Sequence, residues 1–66
     1  MLSLKDYNNY LEQILKVEIE MADVYEKCVN VTADEDVKRV CYTLMNQEKN
    51  HAKLVRELIQ LFAVST

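Results

Sequence analysis

The sequence predicts an all-α fold: an antiparallel two-helix hairpin that dimerises into a four-helix bundle. Three observations predict it. The 66 residues contain no glycine and no proline. Apolar residues recur at spacings of three and four along two long segments. A single short interruption separates those segments. Tight turns, hairpins and bulges usually recruit glycine or proline, so their absence favours long helices with few connections. A chain of this length is one domain at most. It buries little apolar surface against its ordering entropy, and small proteins gain the difference from disulfides, a metal or oligomerisation. Half of the residues are hydrophobic, which sets the chain apart from disordered compositions.

Helix one is expected over about residues 3–29, where Leu4, Tyr7, Leu11, Ile14, Leu15, Ala22, Tyr25, Cys28 and Val29 form one stripe. The interruption is Val29-Asn30-Val31-Thr32, with the turn at about 30–32. Asn30 can take the left-handed conformation that ends a helix when glycine is missing. Thr32-Ala33-Asp34-Glu35 fits a capping box, and Asp34, Glu35 and Asp36 place negative charge on the positive end of the next helix. Helix two is expected over about residues 33–62, with its stripe on Val37, Val40, Cys41, Leu44, Leu54, Val55, Leu58 and Phe62. Each helix would be about 40 Å long at 1.5 Å per residue. Helices joined by a short loop pack antiparallel. A lone hairpin leaves the far side of each stripe wet, and the usual remedy is a second copy about a symmetry axis. A homo-oligomer, at least a dimer, is therefore expected. Met21 and Met45 read as core filler. Tyr7 and Tyr10 read as covering the bundle end or a higher-order interface.

The formal net charge is -3 and no basic cluster is present. This excludes the basic face that a nucleic-acid partner needs. No apolar run approaches a membrane span. The opening Met1-Leu2-Ser3-Leu4-Lys5-Asp6 lacks a basic segment followed by an apolar stretch, so the expected compartment is the cytoplasm. Cys28 and Cys41 fall on the apolar stripes without a CxxC motif. They read as small buried hydrophobes in preference to a disulfide or a metal pair.

The stripes break at three places. In helix one the pattern from Leu11 and Leu15 to Ala22 and Tyr25 passes through Glu18. In helix two the pattern from Leu44 to Leu54, Val55 and Leu58 passes through Glu48 and His51. An unpaired buried carboxylate protonates or finds a cation, and a clean failure of patterning marks a functional site. Glu48 and His51 are three apart, on one helix face. The hairpin brings the middle of helix one, and Glu18, to the same level. A symmetry axis would double this set. The result is a Glu from each of two helices and Glu-x-x-His from each of the other two, the ligand set of dimetal four-helix bundles. Oxygen and imidazole donors without thiolate suit iron or manganese. Glu20 and Asp23 read as a solvated face, or as acidic residues that draw metal towards the site. Glu12 reads as flanking.

These residues resemble a known family. Asn46-Gln47-Glu48-Lys49-Asn50-His51-Ala52-Lys53 looks like the Glu-x-x-His-Ala-Lys signature of rubrerythrins and related ferritin-like di-iron carboxylate proteins. Glu18 followed by Tyr25 resembles the family's first-helix pattern of a ligand Glu with a Tyr two turns on. The resemblance covers nearly the whole chain but about half of a family four-helix domain. It implies a ferritin-like bundle, with Glu18 as a terminal carboxylate ligand, Glu48 as the bridging carboxylate and His51 as the imidazole ligand. It implies Tyr25 as a residue whose hydroxyl supports a ligand carboxylate, a role compatible with core packing. The cofactor it implies is iron, a pair of ions per dimer, with manganese or zinc as alternatives. The third and fourth helices and the four-Cys electron-transfer domain of many rubrerythrins are missing, which leaves the electron donor unidentified. The two-helix plan is similar to encapsulated ferritins, which build the site between subunits.

Three functions compete on this reading. One is an oxidoreductase that oxidises ferrous iron with dioxygen or peroxide. One is metal binding without turnover. One is a non-catalytic helical dimerisation or adaptor module, in which the Glu and His side chains only hydrogen-bond across the core.

Overall fold

Why two helices form is visible at their ends. In the computed structural model, which describes residues 3–65, α1 spans Leu4–Val31 and α2 spans Glu35–Ser65. Ser3 caps α1. Its hydroxyl accepts from the Asp6 N–H at 3.2 Å, and the Asp6 carboxylate accepts from the Ser3 N–H at 3.1 Å. This reciprocal pair satisfies donors that a helix start leaves orphaned. Asp6 also places its charge on the positive end of the helix dipole.

The turn departs from expectation in two ways. α1 runs two residues past Val29, and no described residue has a positive φ, so Asn30 does not end the helix in a left-handed conformation. The chain leaves through Thr32, extended at φ -76° and ψ 139°, whose N–H still donates to the Cys28 carbonyl at 3.0 Å. The cap of α2 is Asp34, in place of the expected Thr32. The Asp34 Oδ1 accepts from the N–H groups of Asp36 at 2.9 Å and Val37 at 3.1 Å. The Thr32 hydroxyl accepts from the Asp34 N–H at 3.2 Å and shapes the turn instead. A carboxylate meets the positive end of a helix with a full charge where a hydroxyl offers only a dipole. Asp34→Ala is expected to cost about 1 kcal/mol and to lower the melting midpoint by about 4–8 °C. An unchanged thermal melt would show that the cap does nothing for stability.

The helices pack along one another in a rod of 48 × 16 × 15 Å. The inward stripe of α1 is Asn8, Leu11, Leu15, Glu18, Ala22, Tyr25, Cys28 and Val29; that of α2 is Cys41, Leu44, Met45, Glu48, Ala52, Val55, Ile59 and Phe62. Among the described residues only Ala22, Met45 and Ala52 are buried. Met45 is core filler as expected, whereas Met21 is exposed. At the open end the rings of Tyr7 and Phe62 stack, with centroids 6.2 Å apart and planes 4° from parallel. Tyr7 thus stacks at the end of the hairpin while remaining exposed, as Tyr10 is.

Several residues expected on the buried stripes are exposed in the hairpin: Ile14, Val37, Val40, Leu54 and Leu58. Each helix has one neighbour, and one neighbour covers a narrower stripe than the sequence pattern supplies. Cys28 and Cys41 also differ from expectation, because the structure joins them in a disulfide. The short connection places an inward position of the last turn of α1 opposite one near the start of α2, with Cα atoms 6.3 Å apart. Local setting along the chain does not reveal that pairing; the geometry of the turn does. A cross-link closing a loop of this size is worth about 3 kcal/mol in the chain-entropy account. No helix is long and apolar enough to cross a membrane among the described residues.

Candidate metal centre

Glu18 sits on the inward stripe of α1 between Leu15 and Ala22, and Glu48 on that of α2 between Met45 and Ala52. His51 lies three residues beyond Glu48, so the same helix presents it beside Glu48. The three side chains converge: one donor atom from each lies within 4.8 Å of the others. The His51 Nδ1 stands 3.6 Å from the Glu18 Oε2. The Glu18 side chain keeps 19% of its exposure, whereas His51 keeps 55%. The cluster therefore has a shielded acidic side within the hairpin and an imidazole at its rim.

The electrostatics of the cluster are unbalanced. The Glu18 Oε2 is buried and has no hydrogen-bond partner. No lysine or arginine comes within ion-pair distance of Glu18 or Glu48 among the described residues. The hydrogen bond that Glu48 shares with Glu18 lifts its pKa above the ordinary carboxylate value, partial burial and the charge of Glu18 lift it further, and only His51 opposes them. Two carboxylates brought together without a cation make ionising the second one costlier. The folded chain therefore binds the Glu48 proton more tightly than the unfolded chain does. Its contribution is complete below the ordinary carboxylate range and is lost as pH rises through the raised Glu48 value. Metal-free protein should therefore lose stability over that window, and Glu48→Gln should flatten the profile. Denaturant titrations at a series of pH values check this; identical profiles would mean the carboxylates do not interact.

Of the other candidates, Tyr25 lies on the same stripe two turns from Glu18 and is half-buried. Glu12, Glu20 and Asp23 are exposed, away from the cluster, and Asp23 pairs with Lys27 at 3.0 Å. An open cleft of about 450 Å³ lies over Ala22 and Ala52, walled by Asp23, Glu26, Lys49 and Arg56. It occupies the charged side of the hairpin, opposite His51.

The rim carrying His51 is a different surface. One residue back from each inward position is a turn of about 100° around the helix. On α1 these positions include Tyr7, Tyr10, Ile14, Val17, Met21, Val24 and Lys27; on α2 they include Val40, Thr43, Gln47, His51, Leu54, Leu58 and Leu61, with Val37 one turn before Val40. Because the helices run antiparallel, both rows fall on the same side of the hairpin. All but Lys27, Thr43, Gln47 and His51 are large exposed apolar residues. His51 stands near the middle of this apolar face. The sequence reading missed Val17, Met21, Val24 and Leu61 as members of the row. The signal that finds them is a second heptad run, 7, 10, 14, 17, 21, 24, beside the first.

No family model, curated protein or solved structure matches this chain.

Proposed function

We propose that this chain is a ferritin-like metal-binding protein whose centre is shared between two copies and holds a pair of metal ions, iron in the first instance. The observation that carries this reading is the convergence of Glu18, Glu48 and His51 within 4.8 Å, with a buried Glu18 carboxylate oxygen that accepts no hydrogen bond. A divalent cation supplies the missing charge and favours the ionised form of both carboxylates. Carboxylate and imidazole donors fit iron and manganese, and also zinc. The thiols that would favour softer metals are occupied by the disulfide.

Three ligands from one chain leave an ion incompletely held. The apolar face around His51 is the surface on which a second copy completes the set. Two such faces meet by a half-turn about an axis through the level of the site, which brings both His51 side chains to the shared centre. Glu18 and Glu48 neutralise the metal charge from within each hairpin, and the apolar rows around His51 keep water from its edges. Bound iron would supply the electrons that reduce dioxygen or peroxide.

The exposed apolar face also supports a second reading, a dimerisation or adaptor module without metal. Elemental analysis of freshly purified protein, followed by ferrous iron oxidation in air, separates the readings. Stoichiometric metal with oxidation faster than buffer supports an oxidoreductase. Metal with no acceleration supports a storage or buffering site. A folded dimer that takes up no iron, manganese or zinc leaves only the adaptor.

A further inference from the structure

The two helices that carry the donors are joined by one short connection and one covalent bridge. Glu18 belongs to α1, while Glu48 and His51 belong to α2, so anything that lets the helices part also separates the donors. The core that resists parting is thin, since three residues are buried among those described. Cys28 and Cys41 tie the turn end, 13 residues apart in sequence. Cys41 is two helical turns from Glu48 on the same inward stripe, about 10 Å along the axis. Both cysteines are only half-buried, so an external thiolate can reach the bridge.

We propose that the Cys28–Cys41 bridge is a thiol-responsive switch on the metal centre: oxidised, it holds the donors together; reduced, it weakens their grip. This rests on the metal reading above and adds its regulation. The chemistry is ordinary thiol–disulfide exchange. A thiolate of a small-molecule dithiol attacks one cysteine Sγ, the S–S bond breaks, and a mixed disulfide forms. The second thiol of the reductant displaces the first cysteine, leaving two protein thiols and one oxidised reductant. Two electrons and two protons pass to the protein. Apparent affinity scales with the fraction of chain already in the binding-competent arrangement, and the bridge raises that fraction by restricting the unfolded chain.

The test uses the full chain with manganese(II), which does not oxidise thiols under anaerobic conditions. Oxidised protein, protein reduced with a dithiol and then desalted, and the C28S/C41S variant are each titrated, with thiol counts to verify their states. The reduced wild type is expected to bind about tenfold more weakly or worse, and C28S/C41S to match it and ignore the reductant. Equal affinity in the oxidised and reduced states overturns the switch alone. So does a bridge that the dithiol cannot open in the folded protein, or a reductant effect of equal size in C28S/C41S. Oxidised protein that binds no manganese, iron or zinc overturns the metal reading and the switch with it.

Discussion

His51→Ala and Glu48→Ala are each expected to weaken iron or manganese binding by more than about 100-fold, since loss of an outer partner of a ligand already costs about 10–100-fold. The size of the effect follows from the proposed sharing of the centre between two copies. A centre on a symmetry axis loses a donor from both copies with every substitution, and the remaining carboxylates cannot replace an imidazole at the same position. Glu18→Leu should lose metal to a similar degree yet behave oppositely without it. In the metal-free protein the Glu18 Oε2 is buried and accepts no hydrogen bond, with only the His51 Nδ1 beside it at 3.6 Å, and an apolar side chain of similar size removes that penalty. Metal-free Glu18→Leu should therefore melt higher than metal-free wild type, while wild type regains the lead once metal is added. Calorimetric titration with manganese and paired thermal melts provide both readouts. Retention of full metal content by His51→Ala would end the assignment, and a metal-free Glu18→Leu that melts lower would show that Glu18 serves the core in its own right.

The helical hairpin and the meeting of Glu18, Glu48 and His51 were legible in the sequence for the same reason. Helical periodicity is a local signal, and Glu18, Glu48 and His51 announced themselves as breaks in it. The level of Glu18 with Glu48 and His51 also followed from chain length on either side of the turn, because an antiparallel hairpin fixes register by distance from its connection. What stayed illegible depended on information beyond a single helix. The cap moved from Thr32 to Asp34 because the turn offers two side-chain acceptors two positions apart, either of which could start the helix, and sequence spacing does not rank them. The Cys28–Cys41 bridge needed the cross-turn geometry. The breadth of the buried stripe was overstated because Ile14, Leu54 and Leu58 share a periodicity with inward residues, yet stand to one side of the helix–helix contact. That last error is informative, for it separates the stripe that one hairpin uses from the row it leaves open.

The row left open leads to the second large effect: on the proposed shared centre, Leu58→Lys should convert a dimer to a monomer and release the metal. Leu58 lies on the apolar face seven residues beyond His51, exposed in the hairpin at 41%. Burying a Leu side chain is worth about 1.5–3 kcal/mol. Symmetry places the substitution on both sides, so the loss is about 3–6 kcal/mol, or about 10²–10⁴-fold in the dimer dissociation constant, before any cost of burying the ammonium groups. Ile14→Lys on the facing row should act in the same way. Lys53→Glu, on the charged side of the hairpin, changes charge just as sharply and should leave the dimer and its metal in place. Light scattering with elemental analysis of each peak reads both quantities. The decisive feature of Leu58→Lys is that it leaves Glu18, Glu48 and His51 untouched. If one hairpin were enough, the monomer would keep its metal; if the site is built between copies, metal and dimer must disappear together.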